Sequence, residues 1–118
     1  SDLAEIGSVY LHGGKWQGEQ VLPAKWVDVS TQDQVSTDAV EFRLGRYGFG
    51  YIWWRSSVEG RARTNDVVAA LGYGGQRLFV VPDESLVVTI LAGDYDNSDS
   101  FSDSPSDEVI ERILTMRR

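Results

Sequence analysis

Residues 66–95, DVVAALGYGGQRLFVVPDESLVVTILAGDY, constrain the fold more than any other stretch. They hold two apolar runs, Leu78–Val81 and Leu86–Leu91, both rich in β-branched and aromatic side chains. Between them, Pro82-Asp83-Glu84-Ser85 has the composition of a turn, with proline fixing φ. The pattern predicts an antiparallel hairpin. Nearly every position in both runs is apolar, and strands of that kind are covered on both faces, which places the pair at the centre of a sheet. Gly72-Tyr73-Gly74-Gly75-Gln76 stands at the entrance to the first strand. Three glycines in four residues permit positive φ, or let another group approach the backbone closely.

The flanking sequence supplies the rest of a domain. Leu3, Ile6, Val9 and Tyr10 recur at helical spacing in residues 2–12, with Ser1 or Asp2 as the cap and Gly13-Gly14 as the stop. Residues 15–22 read as a small hairpin about Gly18. Pro23 suits the first position of a second helix, 23–31, that buries Trp26, Val27 and Val29. Residues 32–46 are polar and aperiodic and read as loop. Tyr47–Trp54 alternates glycine with aromatics and reads as a strand, Ser56–Gly60 as a turn, and 61–71 as a returning strand. The Asp/Ser-rich segment 94–105 reads as a solvated loop. From Ser106, a capping residue with acids behind it, Val109, Ile110, Ile113, Leu114 and Met116 stripe a last helix. The expected architecture is α+β: one domain over 1–118, with an antiparallel sheet of three to five strands across 47–93 and helices packed on one sheet face.

Composition excludes several functions. Eighteen acidic against eleven basic side chains give a formal charge of −7, which disfavours nucleic acid as a partner. No cysteine is present, so disulfides, thiolate metal sites and a cysteine nucleophile are out. No apolar run approaches the ~20 residues that span a membrane. Asp94, Asp96, Asn97, Asp99 and Asp103 offer oxygen ligands without the order of a calcium loop, so no metal and no cofactor is expected. Gly-x-Gly-Gly-Gln lacks the spacing of a phosphate-cradling loop. His12, the one histidine, reads as a helix C-cap.

Three segments together, DLAEIGSVYLHGGKWQGEQVLPAKWV, YGFGYIWW and ALGYGGQRLFVVPDESLVVTILAGDY, resemble the C-terminal portion of the serine β-lactamase-like hydrolases. That family includes class C β-lactamases, penicillin-binding proteins and related esterases. The resemblance implies acyl transfer on an amide, lactam or ester. It maps the family's Lys-Thr-Gly strand motif onto Tyr73-Gly74-Gly75, and makes the Gln76 N–H one of two oxyanion-hole donors. Tyr73, Gly74, Gly75 and Gln76 are thus the expected substrate-binding residues, for a small-molecule or peptide acyl substrate. No Ser-x-x-Lys occurs in the sequence, and Tyr95-Asp96-Asn97 lies where the family does not place its Tyr-x-Asn motif. The chain also begins inside a helical pattern. The expectation is that the nucleophile and base precede Ser1, that the chain itself carries no catalytic residue, and that it is inactive alone. The resemblance also implies a periplasmic or secreted bacterial setting, and a homodimer where the preceding segment is missing. Two alternatives stay open: a non-catalytic ligand-binding module, and a self-associating module of the same fold. The three glycines also admit a purely structural role, as a closely packed bulge.

Overall fold

The computed structural model describes residues 1–35 and 48–117. Helix α1 spans Asp2–Leu11, capped by the Ser1 hydroxyl, which accepts from Ala4 N–H at 3.3 Å. It ends as its glycines dictate: Gly13 and Gly14 take φ of 65° and 93°, and Gly14 N–H returns to the Val9 carbonyl at 2.8 Å. Strands β1 (Lys15–Trp16) and β2 (Glu19–Gln20) form the small hairpin, turning through Gln17-Gly18, both with positive φ. Helix α2 spans Ala24–Thr31. Pro23 is its cap, with ψ 134°, rather than its first helical residue.

Five strands follow: β3 (Gly48–Phe49), β4 (Trp54–Glu59), β5 (Thr64–Gly72), β6 (Gln76–Val81) and β7 (Leu86–Ile90). Each pairs antiparallel with its neighbour in sequence, which makes an up-and-down meander. A 3₁₀ turn, Pro82–Glu84, and a left-handed Ser85 join β6 to β7, as the turn composition predicts. Helix α3 spans Ser106–Met116.

Side chains alternate across β5 and β6 and build two cores. Val67, Ala69, Phe79 and Val81 meet Ile110 and Leu114 of α3 on one face. Val68, Leu78 and Val80 meet Leu3, Tyr10 and Leu11 of α1 on the other, with Trp53 against Tyr10 at 4.5 Å between ring centroids. Full burial of each such aliphatic side chain contributes about 1.5–3 kcal/mol. The helices therefore lie on both faces of the sheet, not on one. The apolar character of both faces of β5 and β6 requires this. Helix α1 comes close because Gly7 lacks a side chain: a Cβ there would stand 2.6 Å from Val87 Cγ1 and 2.9 Å from Leu78 Cδ1.

Other expectations need correction. Of the hairpin strands, β6 is internal, but β7 pairs with β6 alone among the described residues. Cover on two faces does not supply a lateral neighbour. The aromatic strand breaks at Gly50–Trp53, where Gly50 N–H bonds to the Trp53 carbonyl at 2.7 Å and Ile52 takes φ 75°. Trp53 and Phe49 consequently serve opposite faces: Phe49 packs on Trp54, which meets Phe101 on the α3 side. Ser56–Glu59 is strand, not turn; Trp54, Ser56 and Val58 point inward and Arg55, Ser57 and Glu59 outward. Trp26 is exposed, stacked on Tyr51 at 5.8 Å and 9°. Val109 and Met116 are exposed while Ile110 and Leu114 carry the stripe of α3. The expected loop lies largely outside the described residues, as do Tyr47 and Arg118.

Candidate functional site

The β5–β6 register pairs Gly72 with Gln76 and leaves Tyr73-Gly74-Gly75 as the turn. Gly74 and Gly75 have φ of 85° and 88°, a region where a side chain is strained. Both are buried, whereas Tyr73 is 52 % exposed. The glycine cluster is therefore the end of a hairpin, and only its tyrosine faces solvent.

Residues 92–107 fasten this turn from behind. Gly74 N–H donates to Ser100 Oγ at 2.9 Å, and Asp94 N–H donates to the Gly74 carbonyl at 3.0 Å. A Cβ on Gly74 would collide with the Tyr95 ring, and one on Gly75 would stand 2.8 Å from Ser104 Oγ. Tyr73 Oη donates to the Tyr95 carbonyl at 2.5 Å, and the two rings are 5.9 Å apart. The Gln76 side chain imitates a strand partner: Ala92 N–H donates to its Oε1 at 3.1 Å, and its Nε2 donates to the Ala92 carbonyl. This continues the β6–β7 ladder beyond Ile90 through a side-chain amide.

Arg77 is the anchor of the whole arrangement, and sequence reasoning missed it. Its side chain is 0 % exposed, with Nε 2.7 Å from Asp107 Oδ1. Its remaining donors reach the carbonyls of Gly72, Gln76, Ser100 and Phe101 at 2.9–3.3 Å. Asp107 Oδ2 accepts from Arg77 at 3.2 Å and from Ser104 N–H at 3.3 Å. Buried ions are tolerated only when paired and fully hydrogen-bonded in this way. Ser104 Oγ in turn accepts from Ser106 N–H at 3.2 Å, and Pro105 already has helical dihedrals. The Ser104 hydroxyl on Ser106 N–H and the Asp107 carboxylate on Ser104 N–H thus cap α3, a role expected of Ser106. The signal for Arg77 was its phase: it alternates with Phe79 and Val81, so it must enter the core, and Asp107 precedes Ile110 and Leu114 on one face of α3.

Of the expected site residues, all four sit at this hairpin end, and the structure adds Tyr95, Ser100, Arg77 and Asp107 around them. Gln76 lies in β6 opposite Gly72. Clefts lined by described residues lie elsewhere. One, of about 450 Å³, lies between α1, α2 and the sheet, bordered by Asp28, Arg55, Asp66 and Asp83. Another, of about 420 Å³, is lined by Ser8, His12, Lys15 and Trp16. There, Ser8 Oγ is 3.2 Å from His12 Nδ1, the spacing of a nucleophile and its base. Yet Nδ1 is also 2.8 Å from the Ser8 carbonyl, which can only accept. Nδ1 therefore carries the proton and cannot take one from the hydroxyl. His12 caps the last turn of α1, as its position implies.

Among the described residues, no group of three or more metal-ligating side chains is set to hold an ion, and no helix is long and apolar enough to cross a membrane. No family model matches the chain, and no curated protein matches it.

Proposed function

We propose that this chain is the C-terminal part of a serine hydrolase of the β-lactamase-like kind, acting by acyl transfer on an amide, lactam or ester. In this reading the hairpin end Tyr73–Gln76 borders the substrate cleft, and the Gln76 amide is one oxyanion donor. The nucleophilic serine and its base lie in sequence preceding Ser1. The observation that carries the reading is a turn fixed behind and open in front: Gly74 is held by Ser100 and Asp94 and the Gln76 side chain by Ala92, while the Tyr73 side chain is half exposed. Oxyanion stabilisation depends on amides that need no reorganisation as charge develops, and rigid placement supplies that. The sequence resemblance of residues 66–95 supports the same assignment.

The experiment is ester and lactam hydrolysis by two proteins: the 118-residue chain and the product of a longer reading frame containing it. The chain alone should not turn over p-nitrophenyl esters or a chromogenic cephalosporin. The longer protein should, and Tyr73→Ala should lower its kcat/KM about tenfold or more by removing a positioning contact. Turnover by the purified 118-residue chain overturns the reading, as does a longer protein in which Tyr73→Ala has no effect.

A further inference from the structure

On the α3 side of the sheet, Phe79 and Val81 of β6 meet Ile110 and Leu114 in an apolar core. One step nearer the hairpin end, the same strand phase brings in Arg77 and the same helix face brings in Asp107. The last layer of this core is therefore ionic, and it lies directly beneath the turn. It is as dry as the apolar layers behind it: the two side chains are 0 % and 4 % exposed. Ser100 and Ser104 are buried with them. Well-packed apolar side chains of similar volume commonly match or exceed a buried ion pair in stability. What they cannot do is hold carbonyls and amides at fixed positions, and that is what this layer does.

Three connections run from the pair to the turn. Arg77 Nη1 donates to the Gln76 carbonyl at 3.1 Å and to the Gly72 carbonyl at 3.3 Å, gripping both strands where the turn leaves and rejoins them. Arg77 Nη2 donates to the Ser100 carbonyl at 3.1 Å, and Ser100 Oγ accepts from Gly74 N–H at 2.9 Å. Asp107 Oδ2 accepts from Ser104 N–H at 3.3 Å, and Ser104 Oγ fills the space beside Gly75, 2.8 Å from where a Cβ would stand. The peptide that joins Gly75 to Gln76, and carries the Gln76 N–H, is thus held from both of its ends.

We infer that Arg77, oriented by Asp107, is a positioning residue for acyl transfer: the pair keeps the Gln76 N–H aimed at the acyl oxygen. The inference rests on the hydrolase reading of this hairpin end and adds to it the groups that hold the donor in place. Both side chains are too deeply buried to touch substrate, so they act through the turn. An oxyanion donor acts as charge develops on the acyl oxygen, so misplacing it lowers kcat and spares KM. A misplacement of about 1 Å costs on the order of a hundredfold.

The test is p-nitrophenyl ester kinetics on the longer product of the reading frame, carrying Arg77→Lys, Asp107→Asn or, as a control, Leu114→Ala. The control destabilises the apolar layers of the same core. R77K and D107N should each lower kcat at least about tenfold with KM within about twofold. Each should weaken inhibition by phenylboronic acid, a mimic of the tetrahedral intermediate, by the factor lost in kcat/KM. R77K, which keeps the charge and fewer donors, should retain more activity than R77M. At a temperature where circular dichroism shows the variants folded, Leu114→Ala should keep the parent kcat. If R77K or D107N fails to fold, Ser104→Ala, which removes only the contact beside Gly75, serves in its place with a change of the same kind. A kcat within about twofold of the parent in the folded variants, a loss confined to KM, or an equal loss in Leu114→Ala overturns this inference and leaves the hydrolase reading standing. A longer product that neither turns over esters or lactams nor binds the boronic acid overturns both.

Discussion

Replacing Arg77 with Met removes a guanidinium whose donors meet Asp107 and four carbonyls, and leaves Asp107 buried without its partner. One-sided loss of a buried pair costs about 3–5 kcal/mol. R77M should lower the urea midpoint accordingly, and pairing it with Asp107→Leu should recover part of the loss. A loss below about 1 kcal/mol would mean that the pair behaves as a surface bridge. Two glycines give a second comparison. Gly18 has φ 81° and open space around it, so Gly18→Ala carries the backbone penalty alone, about 1–2 kcal/mol. Gly74→Ala adds a collision with Tyr95 and should lose more; equal losses in thermal unfolding would show that the Tyr95 ring swings away freely. Ile52 is the reverse case, a β-branched residue at φ 75° and 82 % exposed. Ile52→Gly should raise stability by up to about 1 kcal/mol. At this scale the glycines were legible, because positive φ has few other solutions. Arg77 was not, because the apolar run was read from Leu78, one residue beyond the position whose phase gave it away.

Helix α1 offers the clearest trial of how elements pack. Alanine is favoured over glycine within a helix by about 1 kcal/mol, so propensity alone makes Gly7→Ala stabilising. The approach of Val87 and Leu78 to that position predicts the opposite, a net loss of about 1–3 kcal/mol from overpacking. A gain in melting temperature would show that α1 rides higher on the sheet than described. Element by element, α1 and α3 were legible because each keeps one period over enough residues, and the β6–β7 hairpin because two unbroken apolar runs flank a turn. Strand β4 was not: Ser56 and Ser57 have the composition of a turn, and only the inward alternation of Trp54, Ser56 and Val58 marks a strand. The break at Gly50–Trp53 was hidden because alternating glycines and aromatics suit a strand and a turn equally. The segment 94–105 was read as solvated from its Asp and Ser content. Ser100 and Ser104 are instead buried, drawn in by Arg77 and by the hairpin end.

For the whole molecule, an antiparallel sheet with helices packed on it was foreseeable as α+β, since its hairpins join neighbours, but the helices were expected on one face although the inner strands are apolar on both. The placement of helices on both faces follows from the same residues. The candidate site was legible as a place, the end of the β5–β6 hairpin, but not as a structure, because its fastening comes from residues some 16–30 positions away in sequence. The chemistry proposed for it divides the labour: this chain contributes a rigid turn, and the attacking serine is contributed by other sequence. Mass spectrometry after exposure to a fluorophosphonate tests that division most directly. The 118-residue chain should remain unmodified, Ser8 included, and the longer protein should carry one adduct on a serine three residues before a lysine, upstream of Ser1. An adduct on any serine within residues 1–118 would contradict it.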